Sequence, residues 1–267
     1  MNKTSYISSA RLAKYVDRIY VLKHSEKYRL PIMLPGTGLE LLFHINTPFS
    51  VNKQKCDNAH VICPRNTIIN VDKSDEVLFV SVRFRSGAFR HFSPVPYTDL
   101  NNQFASVEDI WGDEGRSLLD ILSDCQSTEG KIRIIEKFLF KCLCRYHDKR
   151  NEKWDSIINS LYQEYNTISL KEFADITNLS YRQFERNFKT QFGITPKKFQ
   201  RITRFQATIK KILLNKEDEY LSTALENGYY DQSHFINEFQ VFVGMKPTQY
   251  FTQVNYDNHY YDKSIRR

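Results

Sequence analysis

The 267-residue chain reads as a two-domain α+β protein. An N-terminal β-rich domain of sandwich or barrel type, with closing helices, is followed by an all-helical C-terminal domain. Three observations predict this. Short apolar runs rich in β-branched and aromatic residues, divided by turn signals, fill residues 15–92. From about Ser93 the apolar residues recur at helical spacing instead. A layout of short helix, turn and second helix then occurs twice between residues 173 and 251.

The strand candidates are YVDRIYVL, GLELLFHI, AHVICP, TIINV and EVLFVSVRF, punctuated by Pro-Gly, Asn-Thr-Pro, Cys-Pro and Lys-Ser-Asp turns. Short strands at this spacing suit a sandwich or barrel. SVEDIWGDEGRSLLDILSDC opens with a serine and acids, as a helix start does. GKIRIIEKFLFKCLCRY places Ile132, Ile135, Leu139 and Leu143 on one helical stripe. These two helices close a first domain over residues 1–146. The polar run HDKRNEK, residues 147–153, is the linker. The second domain spans 154–253, and 254–267 is a tail. Within the second domain, WDSIINSLYQEY carries Trp154, Ile157, Ile158, Leu161 and Tyr165 in phase, and Ser169 with Glu172 forms a capping box. Gly193, Gly228 and Gly244 fall at helix stops, and Pro196 and Pro247 at helix starts.

Composition narrows the class. With 41% hydrophobic and 26% charged residues the chain is an ordinary globular protein, with no apolar run long enough to span a bilayer and no signal-peptide stretch. A cytoplasmic protein without membrane contact is the expectation. The five cysteines, Cys56, Cys63, Cys125, Cys142 and Cys144, lack C-x-x-C spacing and read as reduced thiols. The net charge of +7 favours an acidic partner, and its distribution is sharper than its size. Tyr181–Lys211 holds nine basic residues against Glu185 alone, a net +8, whereas residues 212–267 carry five basic and eight acidic residues, a net −3.

The repeat defines the second domain. FADITNLSYRQFERNFKTQFGITPKKF (173–199) and ALENGYYDQSHFINEFQVFVGMKPTQYF (224–251) each place a small alanine in a short helix, Ala174 and Ala224. Each then caps a new helix, with Ser180 and with Asp231. Phe184 and Phe188 recur as Phe235 and Phe239, four apart on one buried face. Each unit ends Gly-x-x-Pro. Helix, tight turn and helix make a helix-turn-helix, and one long helix joins the two units.

These residues resemble the AraC/XylS family of bacterial transcription regulators. The motifs are L-S-x-x-x-F-x-R-x-F-K-x-x-F-G-x-x-P at 179–196 and G-Y-x-D-x-S-x-F-x-x-x-F at 228–239, and the likeness covers residues 154–252. The N-terminal part is similar to the cupin-like domain that precedes the DNA-binding domain in some of these regulators, through GLELLFHI, RFRSGAFRHF and DIWG. The resemblance implies a sequence-specific regulator, an activator rather than a repressor, that meets double-stranded DNA and RNA polymerase. A small-molecule effector and a homodimer are further partners the family suggests.

A recognition helix presents its N-terminal part to the major groove. With Phe184 and Phe188 in the core, Arg182, Glu185 and Arg186 are the base-edge candidates, since Arg can pair bidentately with guanine and Glu can accept from cytosine. Gln183 and Lys189 are placed for the phosphate backbone. Lys197, Lys198 and Arg201 open the long helix, to bind phosphate or cover the bundle. Arg204 is either a phosphate contact or a structural ion pair. In the second unit Gln232, Ser233, His234 and Asn237 face the groove. The family often has a basic residue near Asn237 and Gln240, and this chain does not, so the second unit should add less phosphate attraction.

Two other function classes compete with the regulator. A metalloenzyme would draw on His44, His60, His91 and Glu40 in the strand region, but no His-x-His with a nearby Glu occurs. Asp231, His234 and Glu238 resemble a metal cluster only in spacing. Asp231 is the expected cap, and Glu238 is expected to lie away from the face that Asp231 and His234 share. Without a Gly-rich phosphate loop either, no catalytic residue, metal or cofactor is assigned. A DNA-binding protein that senses nothing is the other class. The β-rich domain is large enough to hold a ligand in its mouth, yet could equally serve for dimerisation.

Overall fold

The computed structural model describes residues 2–24, 30–72, 76–149, 152–216 and 220–261. Strands β1 (Asn2–Tyr6), β2 (Val16–His24), β3 (Leu39–His44), β4 (Ser50–Val51), β5 (Gln54–Lys55), β6 (Ala59–Ile62) and β7 (Val77–Phe84) open the chain. Five of them form one antiparallel sheet in the order β1-β2-β7-β3-β6, and β4 and β5 make a small hairpin. Period-2 alternation sends side chains to both faces, and both faces are buried. In register, Ile19 and Leu41 flank Val82, and Leu41 also pairs with Val61. This face packs on Leu118, Leu122, Ile132, Ile135 and Leu139. The other face carries Tyr20, Leu22, Leu42, Ile62 and Phe79, covered by Leu30, Phe49 and Val71.

The helices that cover the first face are α1 (Tyr97–Leu100), α2 (Val107–Trp111), α3 (Asp113–Asp124) and α4 (Thr128–Tyr146). The run expected as one helix over SVEDIWGDEGRSLLDILSDC divides at Gly112, whose φ of 58° and ψ of −133° interrupt the helical path. On α4 the buried stripe is Ile132, Ile135, Leu139 and Cys142, with Leu143 only partly buried.

Two strand readings need correction. TIINV forms only isolated bridges, Ile69 to Met33 and Val71 to Val51, because its neighbours are an irregular segment and a two-residue strand rather than a full ladder partner. NKTSY, unassigned from sequence, pairs with β2 as an edge strand. Its residues are mostly exposed, so it lacks the apolar alternation that marks a strand. The Lys-Ser-Asp turn at 73–75 lies outside the described residues, as do residues 150–151 of the linker and 262–267 of the tail.

The second half is helical: α5 (Glu152–Gln163), α6 (Leu170–Ile176), α7 (Tyr181–Phe192), α8 (Pro196–Asn215), α9 (Tyr220–Glu226), α10 (Gln232–Val243), α11 (Pro247–Tyr250) and α12 (Gln253–Asp257). One core unites them. Trp154 of α5 stacks on Phe184 with centroids 6.2 Å apart and meets Phe188 and Phe192 edge-on. Phe205 of α8 meets Phe239 edge-on at 5.8 Å and Phe242 at a tilt at 4.9 Å.

The halves are joined by polar contacts. Asp155 of α5 accepts from Arg90 at 2.5 Å and meets His91 Nε2 at 3.0 Å. Burial pushes the Asp155 carboxyl up, but His91 and Arg90 outweigh it and hold the group below its usual value. Asn101 donates to the Gly193 carbonyl at 3.0 Å, and Gln206 of α8 accepts from the Thr37 backbone at 3.3 Å.

Candidate nucleic-acid interface

The first helix-turn-helix is α6 and α7. Ser169 and Glu172 cap α6 reciprocally, and Ser180 and Gln183 do the same for α7. The turn between them needs one left-handed residue, Asn178 at φ 55°, and closes with the Leu179 amide donating to the Ala174 carbonyl at 3.3 Å. Ala174 is 1% exposed, so the helices cross with no room for a larger side chain. Phe184, Phe188 and Phe192 fill the core, and Gly193 ends α7 at φ 73°.

The second unit, α9 and α10, repeats this with Gly228 at φ 89° in place of Asn178, Tyr229 in place of Leu179, and Ala224 buried like Ala174. The Tyr229 amide donates to the Ala224 carbonyl at 3.2 Å. The repeat is not exact in length. One extra residue, Tyr230, stands between the turn and the Asp231 cap and is 89% exposed. The alanine-to-phenylalanine separations, Ala174 to Phe184 against Ala224 to Phe235, carry that signal in the sequence.

On α7, Arg182, Gln183, Arg186 and Lys189 are exposed on the side of the helix away from the three phenylalanines, while Glu185 is half-buried at the flank of the phenylalanine face. Gln183 uses its amide oxygen on the cap, accepting from the Ser180 amide at 3.0 Å and its hydroxyl at 2.8 Å. Only its amide NH2 group is left for a phosphate. Lys197 is exposed, whereas Lys198 bonds Asn66 of the N-terminal domain. On α10, Gln232, Ser233 and Asn237 are exposed.

Arg201, Arg204, His234 and Glu238 form a network that the sequence reading did not assemble. Glu238, 5% exposed, accepts from Arg201 at 2.7 Å, Arg204 at 2.9 Å and the Tyr229 hydroxyl at 3.0 Å. The His234 ring lies 3.2 Å from Arg204 and takes the Tyr230 amide on its other nitrogen at 3.3 Å. The placing of Glu238 away from His234 is therefore corrected: residues four apart on a helix share a face, and both meet Arg204. Arg204 is an ion-pair residue here. His234 is turned toward the long helix rather than outward, while Asp231 caps α10 through the His234 amide at 2.7 Å. Lys211 pairs with Glu226 at 2.5 Å. Glu238 and Glu226 thus offset two of the eight net positive charges of that segment, and the outward positive surface centres on Arg182, Arg186, Lys189 and Lys197.

The strand-region histidines do not converge on a site. His44 and His60 stack at 5.3 Å between Phe49, Phe79 and Phe104, and His91 turns to Asp155. Glu40 is bound by Tyr20 at 2.5 Å, Ser81 at 2.9 Å and Arg83 at 2.8 Å. Burial pushes the Glu40 carboxyl up, yet Arg83 and then Tyr20 hold it below its ordinary value. This group lines a cavity between the sheet and the helical domain, with Leu42 and Phe79 on one side and Gln206 and Tyr250 on the other. Among the described residues no group of three or more His, Cys, Asp or Glu could hold a metal ion, and no helix is long and apolar enough to cross a membrane.

A family described as a helix-turn-helix domain matches residues 173–253, and a domain of unknown function (DUF6597) matches residues 4–106. An uncharacterized HTH-type transcriptional regulator of Haemophilus influenzae is 28% identical over 100 residues, 38% of this chain and 33% of that protein. The probable transcriptional regulator LumQ of Photobacterium leiognathi is 29% identical over 114 residues, 41% of this chain and 45% of that one. The chain matches less than half the length of either relative. Among solved structures, ToxT from Vibrio cholerae aligns over 87% of this chain and 97% of its own at 13% identity with a TM-score of 0.46. ToxT bound to (E)-4-(8-methylnaphthalen-1-yl)but-3-enoic acid aligns over 88% and 98% at 12% identity with a TM-score of 0.47.

Proposed function

We propose that this chain, a regulator of the AraC type by its C-terminal helix-turn-helix domain, binds DNA sequence-specifically and regulates transcription. The observation that carries the reading is the outward pair Arg182 and Arg186 on α7, with half-buried Glu185 beside them, backed by a phenylalanine core and held by a capping box. Arg182 and Arg186 reach guanine edges, and Glu185 accepts from cytosine. Gln183, Lys189 and Lys197 hold the phosphates, with Lys198 joining them if it leaves Asn66. The second unit reads an adjacent major groove with Gln232, Ser233 and Asn237, whose amides suit adenine. His234 contributes by bracing α10 on α8 beside Arg204. Activation through contact with RNA polymerase, assembly as a homodimer and response to a small effector held by the N-terminal domain belong to the same proposal.

Affinity measured across salt concentrations, with and without added metal, tests the reading. A DNA-binding regulator loses affinity steeply as salt rises, independent of metal. A salt-insensitive, metal-dependent activity would point to an enzyme.

A further inference from the structure

The cavity between the domains has a third wall. Beyond Asp257, which pairs with Lys216 at 2.5 Å, the chain turns back over the sheet, and His259, Tyr260 and Tyr261 line the space. Tyr260 packs on the N-terminal cluster that includes Tyr20, Leu42 and Phe79, while Tyr261 packs on the helical core. The free space left is about 70 Å3. Ligand pockets usually run from roughly 300 to 1,000 Å3, so the tail takes room a ligand would need.

We infer that the segment His259–Tyr261 is a built-in occupant of this cavity, and that an uncharged phenolic or biaryl ligand competes with it for the same seat. The seat suits rings and leaves two of this segment's side-chain polar atoms unsatisfied. The Tyr260 hydroxyl and His259 Nδ1 are buried with no hydrogen-bond partner. Lys3 Nζ of β1 ties the tail backbone to the sheet by donating to the Tyr260 carbonyl at 3.1 Å. A ligand that places its hydroxyl within reach of Glu40 or Tyr20 would satisfy what Tyr260 leaves unsatisfied. The polar floor is already balanced, with Glu40 and Arg83 paired at 2.8 Å, so a charged ligand would arrive without a counterion and lose its hydration. The consequence for DNA rests on the ligand-responsive reading above. Release of the tail removes a bridge between the domains and frees the helical half to shift from contacts such as Lys198 with Asn66.

The test uses 4-phenylphenol as the probe and calorimetric titration as the readout. A chain ending at Asp257 and the Tyr260→Ala variant should bind it about tenfold more tightly than the unaltered chain, because a site open a tenth of the time loses that factor in apparent affinity. Tyr260→Phe, which deletes only the unpartnered hydroxyl, should seat the tail better and weaken probe binding several-fold. If the shortened chain fails to fold, the two point variants and amide exchange at residues 258–261 decide, and exchange there should rise when the unaltered chain is saturated with probe. Equal affinities across the variants, no probe binding in any of them, or unchanged exchange at saturation would overturn the inference. A chain that fails these tests but still binds its selected DNA overturns the tail's role and leaves the DNA-binding reading intact.

Discussion

Glu238→Ala isolates the charge network that docks α10 on α8. Glu238 is 5% exposed, and its carboxylate serves Arg201, Arg204 and Tyr229 at once. The Arg204 side chain is 18% exposed, so its charge stays largely out of water when the carboxylate is gone. Breaking a buried pair this way costs about 3–5 kcal/mol. The Arg201 side chain is 41% exposed and can return to solvent, so its pair adds only ~0–1 kcal/mol. The Tyr229 hydroxyl loses an acceptor worth about 1–3 kcal/mol, but the three losses share one carboxylate and do not add in full. The expected total is ~3–5 kcal/mol, read by urea unfolding followed by circular dichroism. The double variant Glu238→Leu with Arg204→Met removes both charges and should recover most of the loss, since a buried pair replaced by apolar residues is often near neutral. A loss under ~1 kcal/mol for Glu238→Ala, or a double variant as unstable as the single, would refute the buried-pair argument.

Further outcomes follow from the same geometry. Arg186→Ala should weaken binding to the preferred DNA by about 1–3 kcal/mol and relax one base position, leaving non-specific binding nearly unchanged in competition titrations. Lys189→Ala and Lys197→Ala should each reduce the salt slope of DNA binding by about one, whereas Asn237→Ala should leave the slope alone. Gly193→Ala should destabilise the fold by at least ~1 kcal/mol in thermal unfolding, because φ is +73° and a Cβ would lie 2.4 Å from Asn101 Nδ2 and 2.9 Å from the Tyr97 carbonyl carbon. Burial, and then His60, drives His44 down to about 3 from the ordinary 6.5. The unfolded chain therefore takes up a proton that the folded chain refuses, so stability present above pH 6.5 is lost as pH falls toward 3. Unfolding at pH 5 and pH 7 should differ by about 2 kcal/mol from this group, and His44→Phe should reduce the difference.

How much of this was legible in the chain depended on the range of each signal. The helix-turn-helix units were readable because caps such as Ser180 and Asp231, stops such as Gly193 and paired phenylalanines act within a few residues of one another. The extra Tyr230 was also countable, from one additional residue between Ala224 and Phe235. The shared face of His234 and Glu238 followed from their spacing, and only the docking partner Arg204, thirty residues before His234, lay beyond it. β1 escaped notice because an exposed edge strand needs no apolar alternation. TIINV misled in the opposite way: its residues favour extended backbone, but a strand also needs a partner, and that partner is a tertiary fact. The tail in the cavity lies beyond local reading altogether, since Tyr260 meets Lys3 from the far end of the chain.

The central claim is that the outward row of α7 reads DNA sequence. Fragments of the host genome selected with the purified chain, then selected again with the Arg182→Ala and Arg186→Ala variants, test it most directly. The expected result is an enriched motif with two half-sites about one helical turn apart, and loss of the half-site read by α7 in both variants. No enriched motif, or the same motif at the same strength in the variants, would contradict it.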